Sequence, residues 1–209
     1  MTSVIPLIGS AHSKRLLGGV LLALFLLPGW GQAQPQPLSP GTALPRVDAE
    51  LQRPNGSSVP VSDLLGREGT VFLFWGNQCP WIDRYEDRVQ DLAKKFQSAG
   101  VQFVRINANA QASPQACRKR MQQQGYETPY VRDPDASFAE ALGASQTPQV
   151  FLFNAQQTLV YTGSIDDSPS DPGRVQEPYL RDAISALLDG RTPEVQSTEP
   201  FGCTLKYPG

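Results

Sequence analysis

Between Thr70 and Ile82 the chain reads as a buried strand, a short turn and the start of a helix, with a cysteine at the junction. The run Thr70-Val71-Phe72-Leu73-Phe74-Trp75 is an unbroken apolar stretch rich in aromatic and β-branched residues, the pattern of a strand covered on both faces. Cys79 ends the turn, and Pro80-Trp81-Ile82 opens the helix, with Pro80 where a missing backbone N–H costs nothing. The unpaired N–H groups of a helix N-terminus favour an anion, so they favour thiolate over thiol at Cys79. Thiolate is the nucleophile in disulfide exchange and in attack on peroxides. The competing reading of Cys79 is a small side chain packed at a helix start, a common fate of free cysteines.

The first 33 residues read as a leader outside the fold. Lys14 and Arg15 precede the apolar run Leu16–Leu27, and Pro28, Gly29 and Gly31-Gln32-Ala33 follow, the pattern of a secretory signal peptide. The run is too short for a comfortable membrane span, so no stable span is expected after cleavage, and the predicted location is periplasmic. Export puts cysteines in an oxidising compartment where disulfides persist. Losing residues 1–33 also removes His12, the only histidine, which excludes a Cys–His nucleophile pair and histidine-containing zinc sets. Neither a metal nor another cofactor is called for. The balance of 18 basic against 20 acidic residues, with no basic block, argues against nucleic acid.

Residues 34–43 form a Gln- and Pro-rich lead-in. Pro54-Asn55-Gly56 marks a hairpin between two short strands, and Ser62 is placed to cap a helical turn through Gly66. After Cys79, Ile82, Tyr85, Val89, Leu92 and Phe96 step by three and four, one apolar helix face, and Asp83, Arg84, Glu86, Asp87, Arg88, Lys94 and Lys95 are assigned to the wet side. Val101–Ile106 reads as a strand, Ser113-Pro114 starts a helix carrying Cys117, and Phe138–Leu142 is a short helix closed by Gly143. Thr147-Pro148 precedes the strand Gln149–Phe153, and Leu159–Thr162 returns beside it. Asp166–Glu177 reads as a solvated acidic loop, Pro178 starts a last helix with Leu180, Ile184, Leu187 and Leu188 inward, and residues 191–209 form an extended tail. The alternation gives an α/β fold, a central mixed sheet with helices on both faces and an N-terminal hairpin extension, over residues 44–190.

Phe74-Trp75-Gly76-Asn77-Gln78-Cys79, the segment Gly143–Pro148 before a strand, and Phe151-Leu152-Phe153-Asn154 followed by Leu159–Gly163 together resemble the thioredoxin-like superfamily. The nearest likeness is to secreted redoxin-type proteins of the alkyl hydroperoxide reductase/thiol-specific antioxidant kind. Phe201-Gly202-Cys203-Thr204-Leu205-Lys206 resembles the tail of a redoxin-like subgroup with an Asn-x-Cys-Pro site, here Asn77-Gln78-Cys79-Pro80. The resemblance implies Cys79 as nucleophile and a cis-proline turn at Thr147-Pro148 that presents its backbone to a bound peptide. It implies a substrate surface of Trp75, Pro80, Trp81, Thr147 and Pro148, with the tryptophans also readable as core and wall.

The departures narrow the chemistry. Ile82 stands where thioredoxins carry their second cysteine, Leu73 where they bury an acid, and Gly76 where peroxiredoxins carry a threonine. The resolving thiol must therefore come from Cys117 or Cys203, or from an external thiol reductant. The subgroup's tail, and the need to order residues 191–209, put Cys203 ahead of Cys117. A Cys79–Cys203 bond implies a tail that docks when oxidised and frees on reduction. Arg84 and Arg132 are the cations to test beside the thiolate, with a solvated surface as their default. The chain is thus read as a secreted oxidoreductase acting on a protein thiol/disulfide partner or a peroxide. The alternative is a redox-inactive binding module with a structural disulfide. A copper-handling protein would need a Cys-x-x-x-Cys and a histidine, both missing.

Overall fold

A computed structural model describes residues 1–2 and 36–208, so the leader expectation for residues 1–33 falls almost wholly outside the described residues. Residues Gln34–Gly209 form one compact unit. Strands β1 (Glu50–Gln52) and β2 (Ser58–Pro60) make the expected hairpin. Its turn is held by Asn55, whose Oδ1 accepts from the Ser57 N–H at 3.0 Å, and by Gly56 at φ +93°. The next turn, Val61–Leu64, is 3-10 and carries no side-chain cap. Ser62 lies inside it rather than capping it, because the turn is fixed by burial of Val61 and Leu64.

Strand β3 (Gly69–Phe74) runs into helix α1 (Pro80–Gln97), followed by β4 (Val101–Asn107), α2 (Pro114–Gln124), β5 (Tyr130–Arg132) and α3 (Ser137–Leu142). Then come β6 (Gln146–Thr147), β7 (Gln149–Asn154), β8 (Leu159–Gly163), α4 (Tyr179–Leu188) and β9 (Cys203–Thr204). The main sheet has the order β2-β1-β5-β4-β3-β7-β8. β3 pairs parallel with β4 and antiparallel with β7, so the sheet is mixed and β3 is central. Every residue of β3 is buried, which its unbroken apolar run required.

Alternation along β3 divides the core. Val71, Leu73 and Trp75 pack with α1, α4 and Cys117 of α2 on one face. Phe72 and Phe74 pack with α3, the hairpin and Leu205 on the other. Phe72 meets Phe138 and Phe153 edge-on at centroid distances of 5.3 and 5.9 Å. Ser113 caps α2 as expected, its Oγ accepting from the Ala116 N–H at 3.1 Å.

Two acidic residues assigned to solvent are inside. Glu86, on α1, is 4 % exposed and faces the buried Arg105 of β4, Nη2 to Oε1 3.4 Å. Its second oxygen, Oε2, accepts from Arg120 Nη2 at 2.8 Å and from the Tyr126 hydroxyl at 2.6 Å. Burial, then the bond to Glu86, push Tyr126 up to about 12. Asp166 is also buried, accepting from Arg88 at 2.6 Å and Tyr85 at 3.1 Å. The loop after β8 is therefore pinned at its first acid rather than solvated throughout.

Candidate active site

Cys79 is the N-cap of α1, in extended backbone conformation, with Pro80 at the first helical position. Strand β3 delivers the turn to this point and the helix begins where the turn ends, so the strand-to-helix transition alone places the sulfur at the helix N-terminus. The Thr147–Pro148 peptide is cis, and the Thr147 carbonyl oxygen lies 3.0 Å from Cys79 Sγ. The cysteine from α1 and the turn before β7 therefore meet across the end of the sheet.

Cys203 completes the pair. It forms a disulfide with Cys79, with Cα atoms 5.9 Å apart, within the range that an S–S bridge spans. The tail presents it as a strand. β9 pairs antiparallel with β6, Thr147 opposite Cys203 and Gln146 opposite Thr204. Phe201 packs edge-on against Trp81 at a centroid distance of 4.7 Å, with Arg84 5.5 Å from the same ring. Gly202 has no room for a side chain, since a Cβ there would fall 2.2 Å from the Thr147 carbonyl oxygen.

The residues expected at the substrate surface separate into two groups. Pro80 is exposed and Trp81 half-buried beside the disulfide. Trp75, by contrast, is fully buried, and its Nε1 donates to Tyr126 at 3.0 Å. It is a wall behind the turn and not a contact surface, because strand alternation turns it toward α1. Thr147 and Pro148 are both buried, because the tail covers them. Contacts other than the disulfide also hold the tail, which departs from the expectation of a segment that the disulfide alone ties down. Leu205 N–H donates to Ser145 O at 2.8 Å, Ala110 N–H to Lys206 O at 2.8 Å, and Thr198 N–H to Thr162 O at 3.0 Å.

Cys117 is the free cysteine among the described residues and is fully buried. Asn77 and Asn107 approach its sulfur with their Nδ2 atoms at 3.7 and 3.8 Å, and the Tyr130 hydroxyl bridges the two carboxamides, donating to Asn77 Oδ1. Burial pushes the Cys117 thiol above its ordinary value, against the lowering effect of the Tyr130 bond, the Arg132 charge and the two carboxamides. Arg132 thus acts on Cys117. Its own side chain is held by Ala112 O at 2.9 Å and Gln52 Oε1 at 2.9 Å. Mass analysis of fully reduced native protein treated with a maleimide should show Cys79 and Cys203 modified and Cys117 untouched until the chain is unfolded. Modification of Cys117 at a comparable rate would contradict its placement.

Sequence reasoning missed the polar group behind the site. Trp75, Tyr126, Glu86, Arg105 and Arg120 form one connected set that ties the end of β3 to α1, β4 and α2. Arg105 also stacks on the Tyr126 ring at 4.1 Å, and burial lowers its pKa from the usual arginine range. The available signal is an arginine at a buried position of a strand, between Val104 and Ile106 and at register with Leu73.

Beside the disulfide lies a cleft of about 260 Å³, reaching from Gly76, Asn77 and Gln78 to Asn109, Gln111, Thr204 and Lys206. A Cβ at Gly76 would sit 2.9 Å from Asn109 Nδ2 and 3.0 Å from Thr147 Oγ1. The position that a peroxiredoxin fills with threonine therefore admits only glycine here without displacing those neighbours. No cluster of metal-ligating side chains occurs among the described residues, and no described helix is long and apolar enough to cross a membrane.

The mixed sheet and its helices are those of thioredoxin-like folds. The thiol-disulfide oxidoreductase ResA of Bacillus subtilis (strain 168) is 29 % identical over 179 residues, 83 % of this chain and 93 % of ResA. A hypothetical protein of Sinorhizobium meliloti 1021 has a similar structure, with a TM-score of 0.75, 27 % identity and coverage of 83 % of this chain and 97 % of that one. An uncharacterized conserved protein of Geobacillus kaustophilus gives 0.74 at 30 % identity, over 81 % of this chain and 92 % of its own. The AhpC/TSA family profile matches residues 40–162, more than half of the chain and the stretch that carries β3, Cys79 and the cis-proline turn. On that match, the chain belongs to the AhpC/TSA family.

Proposed function

We propose that the protein is an extracytoplasmic thiol-disulfide oxidoreductase in which Cys79 and Cys203 form the working redox pair. The observation that carries this reading is the disulfide between a helix-N-terminal cysteine and a cysteine held opposite Thr147 by backbone pairing. The leader-like residues 1–33 support an oxidising compartment, and the similarity to ResA supports disulfide exchange.

In the reduced state Cys79 thiolate attacks one sulfur of a substrate disulfide. The S–S bond breaks, one substrate thiolate leaves and takes a proton from water, and a mixed disulfide remains on Cys79. Cys203 thiolate then attacks Cys79 Sγ, expels the second substrate thiolate and closes the Cys79–Cys203 bond. The substrate has gained two electrons and the chain has lost two. An external dithiol, oxidised in turn to its disulfide, restores the reduced pair. The helix N-terminus contributes twice, since it stabilises Cys79 as attacking thiolate in the first step and as leaving group when the external thiol attacks Cys203 in the reset. Disulfide exchange is preferred to peroxide reduction because Gly76 offers no hydroxyl and the site supplies a second sulfur already in reach.

Stopped-flow mixing of the reduced chain with a chromogenic aromatic disulfide tests this reading. One disulfide consumed per chain is expected, with both Cys79 and Cys203 oxidised afterwards and Cys117 still a thiol. Consumption of hydrogen peroxide with no reaction at disulfides would transfer the protein to the peroxidase reading. No reaction with either would leave the structural-disulfide reading.

A further inference from the structure

The backbone edge nearest the sulfurs is already taken. One way for a polypeptide to dock at such a site is to add a strand to an open edge, so that its main chain supplies affinity. Here β6, the segment in contact with Cys79, carries β9 of the same chain on that edge. The tail is fastened on both sides of Cys203 by contacts that do not involve sulfur. Upstream, Thr162 N–H donates to Gln196 O at 3.0 Å and Ser164 Oγ to Glu199 O at 2.8 Å. Downstream, Leu205 is buried in the core, Lys206 N–H donates to Asn109 Oδ1 at 3.1 Å, and the Tyr207 hydroxyl donates to Ala144 O. Cleaving the disulfide removes none of these. They would hold the tail docked over two thiols on reduction, with the β6 edge closed in both redox states.

What remains open is the carboxamide-lined cleft. Both Cys79 and Cys203 are on its wall, so a molecule inside it has access to either sulfur. Its volume of about 260 Å³ is below the range of sites for drug-sized ligands, roughly 300–1,000 Å³. Gln78 and Gln111 offer neutral donors and acceptors and Lys206 adds a cation, beside apolar surface from Ala112 and Ala116, while the Asn77 and Asn109 carboxamides are engaged within the protein. The volume suits a small molecule.

We infer that the substrate of the Cys79–Cys203 pair is a low-molecular-weight disulfide, which enters through this cleft, rather than a polypeptide disulfide. The inference rests on the exchange mechanism proposed above and names its substrate class. With cystine as the case in point, Cys79 thiolate attacks one sulfur and one cysteine departs as its thiolate. Cys203 then displaces the second cysteine from Cys79. One cystine becomes two cysteines while the chain's dithiol becomes its disulfide, and an added dithiol resets the chain.

The experiment compares second-order rate constants of the reduced full chain with cystine and with the interchain disulfides of insulin, followed by mass analysis of trapped thiols. Cystine should react at least tenfold faster per disulfide. A116W, which places an indole on the cleft wall at an exposed position of α2, should slow cystine at least tenfold. Amide exchange of Leu205 and Lys206 gives a measurement independent of any variant, and protection should persist after reduction. Insulin reacting as fast as cystine, or loss of that protection on reduction, overturns the inference and leaves the exchange mechanism standing. Failure of both disulfides to react overturns the two together.

Discussion

Replacing Cys203 with serine should halt the protein after a single turnover. The C203S chain retains Cys79 at the helix N-terminus, so the first attack on a disulfide proceeds and a mixed disulfide accumulates on Cys79. Its resolution then depends on an external thiol. A partner held at contact distance acts at millimolar effective concentration or far higher, so steady-state turnover with micromolar thiol should fall by roughly a hundredfold or more. The mixed disulfide is read directly by intact mass. The Cys117→Ala chain should turn over normally, since its thiol is sealed beneath Asn77 and Asn107. If C203S sustains turnover and C117A loses it, the roles of the two cysteines are reversed.

The largest stability effect is expected at Glu86. Glu86→Ala leaves Arg105 buried with no carboxylate, and removes the acceptor for Arg120 and Tyr126. Breaking a buried pair from one side costs about 3–5 kcal/mol, because the surviving charge is stranded out of water. Urea unfolding of the reduced protein measures it. Glu86→Gln, which keeps acceptor and shape, should recover part of the loss, and the double change Glu86→Leu with Arg105→Leu should recover more. A loss under about 1 kcal/mol for Glu86→Ala would mean that water reaches the pair and screens it.

The strand, turn, cysteine and helix around Cys79 were legible because each carries a local signal: an unbroken apolar run, a proline at the helix start and a three-four apolar stripe. The pairing of Cys79 with Cys203 followed from the resemblance of the tail and from the question of what orders a tail. The backbone that orders it was not legible. β9 is two residues long, and its partners Gln146 and Thr147 lie far away in sequence. Glu86 was misplaced because a charge at the border of an apolar helix face defaults to solvent. Only the position of Arg105, inside a strand that packs under that helix, reverses the default. Adjacency to the cysteine turn suggests a contact surface at Trp75, whereas strand alternation sends it inward.

The disulfide joins residues 124 positions apart, so it encloses more than half the chain in one covalent loop. Closing a loop of that length restricts the unfolded ensemble by about 5 kcal/mol in the chain-entropy description. Around the cycle of folding and oxidation the same free energy must be found by either route. A fold strengthened by about 5 kcal/mol on oxidation is one that makes its bond harder to reduce by the same amount, roughly 100 mV in a two-electron couple. A substitution that weakens the oxidised fold more than the reduced one therefore makes the bond easier to reduce by the same free energy. The stability gap between the two redox forms and the potential of the pair are one quantity, open to a calorimeter and to a redox electrode alike.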